Sequence, residues 1–152
     1  MSLGLSIGDD AVFLIDDQFA PLTPKIEAAI AKLTPKPVKF LVNTHWHFDH
    51  TGGNVNLGKS GSLIVAHENV RKRMSADGFI EFIAAKTKAD PKEALPVVTF
   101  ASDVTFNLNG DEIYVIHVPR AHTDGDAIIH FRKSNVIHMG DTFFNQLYPF
   151  ID

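Results

Sequence analysis

A cluster of histidines and an aspartate in one short segment limits what this chain can fold into more than any other feature. The segment, residues 43–54, reads N-T-H-W-H-F-D-H-T-G-G-N and follows the apolar run Val38–Val42, which predicts a buried strand. Residues two apart in extended backbone face the same way, so His45 and His47 can converge on one metal ion. The sequence therefore predicts a metal site at the end of this strand.

The residues beside those two histidines indicate how the segment is held and how the site is extended. Trp46 and Phe48 point the other way, and we expect both side chains to anchor the loop in the core. A turn can bring Asp49 and His50 to a second ion, and the pair Gly52–Gly53 allows the chain to turn sharply. Imidazole and carboxylate ligands together suit zinc, iron or manganese.

Two further residues of ligand type follow strands that are predicted later in the chain. His122 comes after Ile113–Val118, and Asp141 comes after Val136–His138. Both lie at the carboxyl end of a strand, where a sheet can present side chains to a common cleft. Because the first cluster needs more ligands, we interpret both as members of the same site.

The rest of the chain alternates between short apolar runs and helical patterns. Strands are predicted at Ala11–Ile15, Val38–Val42, Leu63–Ala66, Val97–Thr99, Val104–Phe106, Ile113–Val118, Ala127–Phe131 and Val136–His138. Helices are predicted at Pro21–Leu33, with Thr23 as N-cap and Pro24 at the first helical position, and at His67–Met74 and Phe79–Lys86. Asn109-Gly110 and Ser134-Asn135 predict turns. This order predicts a layered α/β sandwich.

The composition excludes several classes of protein and site. The 152 residues include eight histidines but no cysteine, which excludes disulfides and thiolate metal ligands. A net charge of −4 gives no basic surface for nucleic acid, and no apolar run has the length of about 18 residues that a membrane span needs. We therefore expect a soluble protein with a small-molecule substrate. Its compartment stays open: the cytoplasm, or the periplasm if a signal sequence was removed.

These motifs resemble the metallo-β-lactamase superfamily, and the resemblance extends from Ala11 onward. H-x-H-x-D-H, a later H-T-x-G and a G-D pair after a strand carry it. It implies an αββα four-layer sandwich with a two-metal site on one edge. Carried over residue by residue, it implies the following ligands: His45, His47 and His122 for the first metal, Asp49 and His50 for the second, and Asp141 as the bridge.

The resemblance also implies roles around the metal. Asp49 would act catalytically by orienting the attacking water as well as binding metal. Metal-bound histidines usually donate their other N–H group to a carboxylate or carbonyl, which suggests supporting residues. The candidates are Asp16, Asp17, Thr123, Asp126 and Thr142. The remaining histidines, at positions 67, 117, 130 and 138, are expected to be structural.

One family element is missing from the sequence. The second metal normally gains another histidine from a later strand, but none follows Asp141. We therefore expect residues 1–152 to form a single, partial domain that is incomplete at both ends. The resemblance leaves the number of zinc ions open, one or two, and iron or manganese are alternative metals. Missing outer strands would expose sheet edges and apolar faces, which predicts a homodimer or a larger assembly.

The implied reaction is metal-assisted hydrolysis. Metal-bound water has its pKa lowered towards about 7, and the resulting hydroxide would attack an ester, thioester, lactone, amide or phosphoester bond. Aspartate at position 141 favours the broader hydrolase branches of the family over a dedicated β-lactamase. Two alternatives stay open: a mono-iron oxidoreductase similar to the persulfide dioxygenases, and a non-catalytic fragment of the domain.

Overall fold

Two β-sheets pack face to face in the computed structural model of the chain, which describes residues 2–80 and 83–152. In spatial order, the first sheet contains β1 (Gly4–Ile7), β2 (Val12–Ile15), β3 (Val38–Val42), β4 (Leu63–His67) and β7 (Val98–Phe100). The second contains β11 (Val136–His138), β10 (Ala127–Phe131), β9 (Asp111–His117) and β8 (Asp103–Leu108). A separate hairpin pairs β5 (Gly78–Ile80) with β6 (Ala85–Thr87).

Four short α-helices accompany the first sheet: α1 (Thr23–Ala31), α2 (Phe48–Thr51), α3 (Asn54–Lys59) and α4 (Glu68–Met74). Three 3-10 turns lie at Ala20–Leu22, Lys92–Ala94 and Gly140–Thr142. Strands β2, β3, β4 and β7 run parallel, whereas β1 and the whole second sheet are antiparallel. No helix among residues 2–80 and 83–152 is both long and apolar enough to cross a membrane.

Alternation along the strands separates two apolar layers. Phe13 and Ile15 of β2 face the second sheet and pack with Ile113 and Ile129. Their neighbours in β2, together with Leu41 and Ile64, face the other way and pack against α1 and α3. The architecture is mixed α/β, as predicted, and the described residues supply a helical layer and both sheets of the expected sandwich. The carboxyl ends of β2 and β3 meet at one edge, where the first motif begins.

The strand predictions are confirmed, in three cases to the residue: Val38–Val42, Ala127–Phe131 and Val136–His138. The hairpin turn at Asn109-Gly110 is also confirmed. Both residues have positive φ, 55° and 74°, which a tight turn between antiparallel strands requires.

One helix prediction is wrong. Phe79–Lys86 is not a helix, because Phe79 pairs with Lys86 across the β5–β6 hairpin and Ala84 has a φ of 50°. Residues 81 and 82 lie outside the described residues. Burial of Ile80 against Trp46 and neighbouring side chains favours the hairpin, so tertiary packing outweighs the local pattern.

Thr23 is not the N-cap of the first helix. Leu22 occupies that position, and Thr23 is the first helical residue. The Thr23 hydroxyl accepts a hydrogen bond from Asn56 Nδ2 at 3.1 Å, so it links α1 to α3 instead of capping its own helix.

Phe13→Ala tests the packing between the sheets. Phe13 is fully buried, with its ring edge-on to Phe106 at a centroid distance of 5.0 Å. We expect the substitution to lower the free energy of unfolding by about 3–5 kcal/mol through lost burial and a cavity. Leu33→Ala is the control, because Leu33 is 68% exposed and should change stability by less than about 0.5 kcal/mol. Urea unfolding measures both, and equal effects would contradict the assigned core.

Candidate metal centre

The predicted ligands come from three separate elements that end at the same edge of the fold. His45 and His47 lie in the loop after β3, and His50 lies in α2. His122 follows β9, and Asp141 lies in the 3-10 turn after β11. Because both sheets deliver these residues to one edge, side chains nearly one hundred residues apart become neighbours.

Three histidines form one compact group. His45, His47 and His122 are all buried, and one ring nitrogen of each lies within 4.8 Å of the others. Nδ1 of His47 and Nε2 of His122 are 3.0 Å apart. This is the set that the family resemblance implies for the first metal.

Asp16 fixes the orientation of two of the candidate ligands. Its carboxylate accepts hydrogen bonds from His50 Nδ1 and from the Thr44 hydroxyl, each at 2.8 Å. Since the Thr44 hydroxyl donates to Asp16, its oxygen accepts the hydrogen bond from His45 Nδ1 at 3.0 Å. Both imidazoles therefore carry their proton on Nδ1. The Nε2 atom of His45 is left buried without a hydrogen-bond partner among the described residues, whereas Nε2 of His50 faces the carboxylate of Asp141.

The C-terminal segment fixes the other two histidines. Nε2 of His47 donates to the carboxylate of Asp152 at 3.3 Å, and Nδ1 of His122 donates to the backbone carbonyl of Phe150 at 2.7 Å. His47 Nδ1 and His122 Nε2 are therefore the unprotonated nitrogens. They face each other with their lone pairs, an arrangement that two neutral imidazoles cannot satisfy by hydrogen bonding.

A second group contains His45, His50 and Asp141. Asp141 Oδ1 lies 3.2 Å from His50 Nε2, and its Oδ2 lies 3.9 Å from His122 Nε2. The carboxylate thus sits between the two groups. Asp49 belongs to neither group: its side chain is 34% exposed, and Oδ2 lies 3.7 Å from His50 Nε2.

Burial sets the protonation of the histidine group. Loss of solvent contact, reinforced by the neighbouring histidines, lowers the pKa of His45 well below its usual value, and burial also lowers the pKa of His47. Both rings are neutral at neutral pH, so both can act as ligands. Burial alone would lower the pKa of His50 too, but the carboxylates of Asp16 and Asp141 outweigh it and raise the pKa to about 10.

Asp17 supports the turn that carries the motif, and its backbone N–H donates to the His50 carbonyl at 3.0 Å. Its Oδ1 accepts a hydrogen bond from the backbone N–H of Gly53 at 2.9 Å. A Cβ on Gly53 would lie 2.9 Å from Asp17 Cγ, and one on Gly52 would lie 2.6 Å from the carbonyl oxygen of Phe48. The two glycines are therefore required by close packing. Burial raises the pKa of Asp17 to about 8.

The other predicted supporting residues shape loops. The Thr123 N–H donates to Asp126 Oδ2 at 2.5 Å, and the Thr123 hydroxyl accepts from the Gly125 N–H at 3.2 Å. These bonds define the loop that holds His122. The Thr142 hydroxyl donates to the Met139 carbonyl at 2.7 Å and closes the turn that holds Asp141.

The anchoring residues of the motif behave differently from each other. Trp46 is 8% exposed and packs in the core as expected, but Phe48 is 46% exposed, so its predicted anchoring role is wrong. Phe48 begins α2, which turns its side chain out of the strand alternation and towards the surface.

The histidines expected to be structural stay outside both ligand groups of the described residues. His67 caps α4 by accepting from the Asn69 N–H, and its ring stacks on His117 with centroids 3.7 Å apart. Nε2 of His138 lies 3.1 Å from the backbone carbonyl oxygen of Ser2.

Sequence reasoning missed three residues of the site: Thr44, Phe150 and Asp152. Thr44 lies beside His45, and a hydroxyl next to a predicted ligand is the one signal that pointed to it. Phe150 and Asp152 gave no local signal, because their partners, His122 and His47, lie 28 and 105 residues away.

Comparison with known proteins places the chain in a family. The sequence matches the family model described as Metallo-beta-lactamase superfamily over residues 6–152. It is 28% identical to the 2,4-dinitroanisole O-demethylase subunit alpha of Nocardioides sp., over 90% of this chain and 39% of that protein. It is 24% identical to the hydroxyacylglutathione hydrolase of Erythrobacter litoralis, over 91% of this chain and 50% of that protein.

The fold is also similar to solved structures. The metallo-beta-lactamase from Pontibacter korlensis superposes with a TM-score of 0.70 at 24% identity, covering 88% of this chain and 56% of that one. The chain thus spans about half or less of the length of the curated relatives it matches.

Asp17→Asn tests the buried acid beneath the motif. With a pKa of about 8 in the folded protein against an ordinary 3.8, the folded state binds one more proton than the unfolded chain between these values. The stability that this proton confers is present below pH 3.8 and is lost as the pH rises to about 8. Relative to the Asn variant, the free energy of unfolding of the wild type should fall by on the order of 1 kcal/mol for each pH unit between these two values.

Urea unfolding across that pH range measures the difference between the two proteins. Asp103→Asn, at an exposed position, is the matched control and should track the wild type. A free-energy difference between wild type and Asp17→Asn that does not change with pH would contradict the assignment.

Proposed function

The chain belongs to the metallo-beta-lactamase superfamily, and from this premise we propose that it forms the metal-binding part of a zinc-dependent hydrolase. The relatives named hydroxyacylglutathione hydrolase and the structural neighbours named metallo-beta-lactamase support hydrolysis as the reaction class. The proposed substrate is a small molecule with an ester, thioester, lactone, amide or phosphoester bond.

One observation carries the proposal. Three buried histidines turn unprotonated nitrogens towards one point, with His47 Nδ1 and His122 Nε2 only 3.0 Å apart. Each ring is held in this orientation by a hydrogen bond from its other nitrogen. Lone pairs so close repel each other unless a cation lies between them, and three imidazoles leave a fourth position open, as in catalytic zinc sites. Iron or manganese would also accept these ligands.

The second ion has weaker support. His45, His50 and Asp141 form the other candidate group, but His45 is shared with the first one and Asp49 stands apart. We propose that the first site binds more tightly than the second.

Two carboxylates, Asp49 and Asp141, have separate roles in the proposed reaction. A zinc ion bound to the three histidines would lower the pKa of a coordinated water towards about 7. Asp49, partly exposed and 3.7 Å from His50 Nε2, is placed at the solvent side, where its carboxylate can orient the attacking water and accept its proton. Asp141 holds negative charge between the two histidine groups and can bridge them.

Zinc titration of His122→Ala tests the proposed first site. Wild-type protein should bind zinc in isothermal titration calorimetry, and removal of one of three ligands should weaken binding by at least about 100-fold. His130→Ala is the matched control, because His130 lies in β10, outside both groups, and should not change zinc affinity. Hydrolysis of a 4-nitrophenyl ester should be lost in the same variant that loses zinc.

The outcomes separate the proposal from its alternatives. Elemental analysis of protein produced without added zinc should show zinc, and stoichiometric iron with oxygen consumption would favour the oxidoreductase instead. A wild-type chain that binds no metal at micromolar concentrations would contradict the proposal.

Asp152→Ala tests whether the C-terminal segment positions a ligand. Asp152 accepts a hydrogen bond from His47 Nε2, which keeps Nδ1 free for metal. Loss of such a carboxylate typically weakens metal binding 10–100-fold, so we expect about a tenfold loss of zinc affinity. Asp152→Asn, which retains an oxygen acceptor, should lose less, and Asp103→Ala should lose nothing. Unchanged affinity in Asp152→Ala would contradict the positioning role.

A further inference from the structure

Five apolar side chains surround the candidate metal centre and form an apolar rim: Phe19, Phe48, Ile80, Ile83 and Phe150. They line a cavity of about 220 Å³ whose polar lining consists of His47, Asp49, His122 and Asp141. The lining of the cavity therefore combines side chains of ligand type with hydrocarbon surface. We infer that the substrate places an uncharged, apolar group, of about the size of one ring, against this rim. The inference rests on the proposed function of the metal centre.

Exposure of the rim supports the inference. Phe19, Phe48 and Ile83 are 42%, 46% and 47% exposed, although all three are large apolar side chains. The rings of Phe19 and Phe48 lie 5.9 Å apart, so they form one continuous surface. Contiguous apolar surface beside a polar centre is typical of a ligand site, because a bound group removes that surface from water.

The charge of the lining favours a neutral group at the rim. The described lining contains two carboxylates, Asp49 and Asp141, and no lysine or arginine. Proteins that recognise a carboxylate or phosphate usually pair it with arginine or lysine. An anionic substituent against the rim would lie on hydrocarbon near two carboxylates, whereas a neutral substituent meets no such repulsion.

Two basic residues of an adjoining cavity are paired with carboxylates. Arg73 and Lys88 line this cavity, which shares Phe48 and Ile80 with the one at the metal centre. Arg73 is paired with Asp124 at 2.9 Å, and Lys88 is paired with Asp77 at 2.5 Å. Neither cation belongs to the lining of the metal-centre cavity.

The size of the cavity limits the group that it can hold. Sites for drug-sized ligands usually have volumes of roughly 300–1,000 Å³, and this one is smaller. Edge-on contacts between aromatic rings favour a flat, ring-shaped group against Phe19 and Phe48. The bond to be hydrolysed would lie towards Asp49 and Asp141.

A matched pair of zinc-binding thiols tests the inference. 4-Methylbenzyl mercaptan and 4-(mercaptomethyl)benzoate share the thiol that binds zinc and differ in a methyl group against a carboxylate. Affinity of each for the zinc-loaded protein is measured by isothermal titration calorimetry. We expect the neutral thiol to bind at least tenfold more tightly. Equal binding, or tighter binding of the carboxylate, would overturn the inference, as would failure of both thiols to bind.

Two alanine variants test whether the apolar rim causes the preference for the neutral thiol. Phe48→Ala should weaken the neutral thiol about tenfold and leave zinc affinity unchanged. Phe79→Ala is the matched control. Phe79 is exposed to nearly the same extent as Phe48, 44% against 46%, but does not line the cavity. If both variants bind the neutral thiol equally, the rim does not hold the ligand and the inference is wrong.

Failure of the inference is distinguishable from failure of the proposed function. Zinc stoichiometry is measured first, and a protein that binds no zinc overturns the metal centre itself. A protein that binds zinc but does not prefer the neutral thiol keeps the metal centre and loses only the apolar rim as its specificity element.

Discussion

The carboxylate of Asp16 is the interaction on which the candidate centre depends. It is fully buried at the end of β2, and its two oxygens accept hydrogen bonds from the Thr44 N–H, the Thr44 hydroxyl and His50 Nδ1. A buried carboxylate is stable only when it is satisfied in this way. Its bonds tie the end of β2 to the loop after β3 and, through Thr44, orient His45. One side chain thereby couples the parallel pairing of two strands to the direction of two imidazoles.

The C-terminal segment supplies the complementary constraint from the opposite side. The backbone of Phe150 and the side chain of Asp152 hold His122 and His47, while the aromatic rings of Phe144 and Phe150 pack beside His122. Two aromatic residues of this segment thus pack against the candidate centre of their own chain. Phe150 has two roles, because its carbonyl orients a candidate ligand and its ring forms part of the cavity wall. Phe150 therefore links the orientation of a candidate ligand to the wall of the cavity.

Much of the fold follows from patterns in the sequence. Strands such as Val38–Val42 were predictable because a buried strand in a sandwich needs a short, continuous run of apolar residues. The hairpin at residues 79–86 could not be predicted in this way, because the apolar residues of the segment fit either a helix or a hairpin. Burial of Ile80 in a cluster of distant side chains favours the hairpin. The anchoring role predicted for Phe48 is wrong for a related reason. The extended backbone ends at His47 and α2 begins at Phe48, so the alternation rule for strands no longer applies there.

For the site, the candidate ligands and the fold that gathers them could be read from local patterns. Spacing within a strand and its following loop is a local property of the backbone, so His45, His47 and the end-of-strand positions of His122 and Asp141 were visible in the sequence. Three-dimensional contacts were needed to find which ring nitrogen of each histidine is hydrogen-bonded, that Asp49 lies outside both ligand groups, and that Asp152 contacts His47. These properties depend on hydrogen bonds and burial contributed by partners up to 105 residues away, which no local pattern encodes.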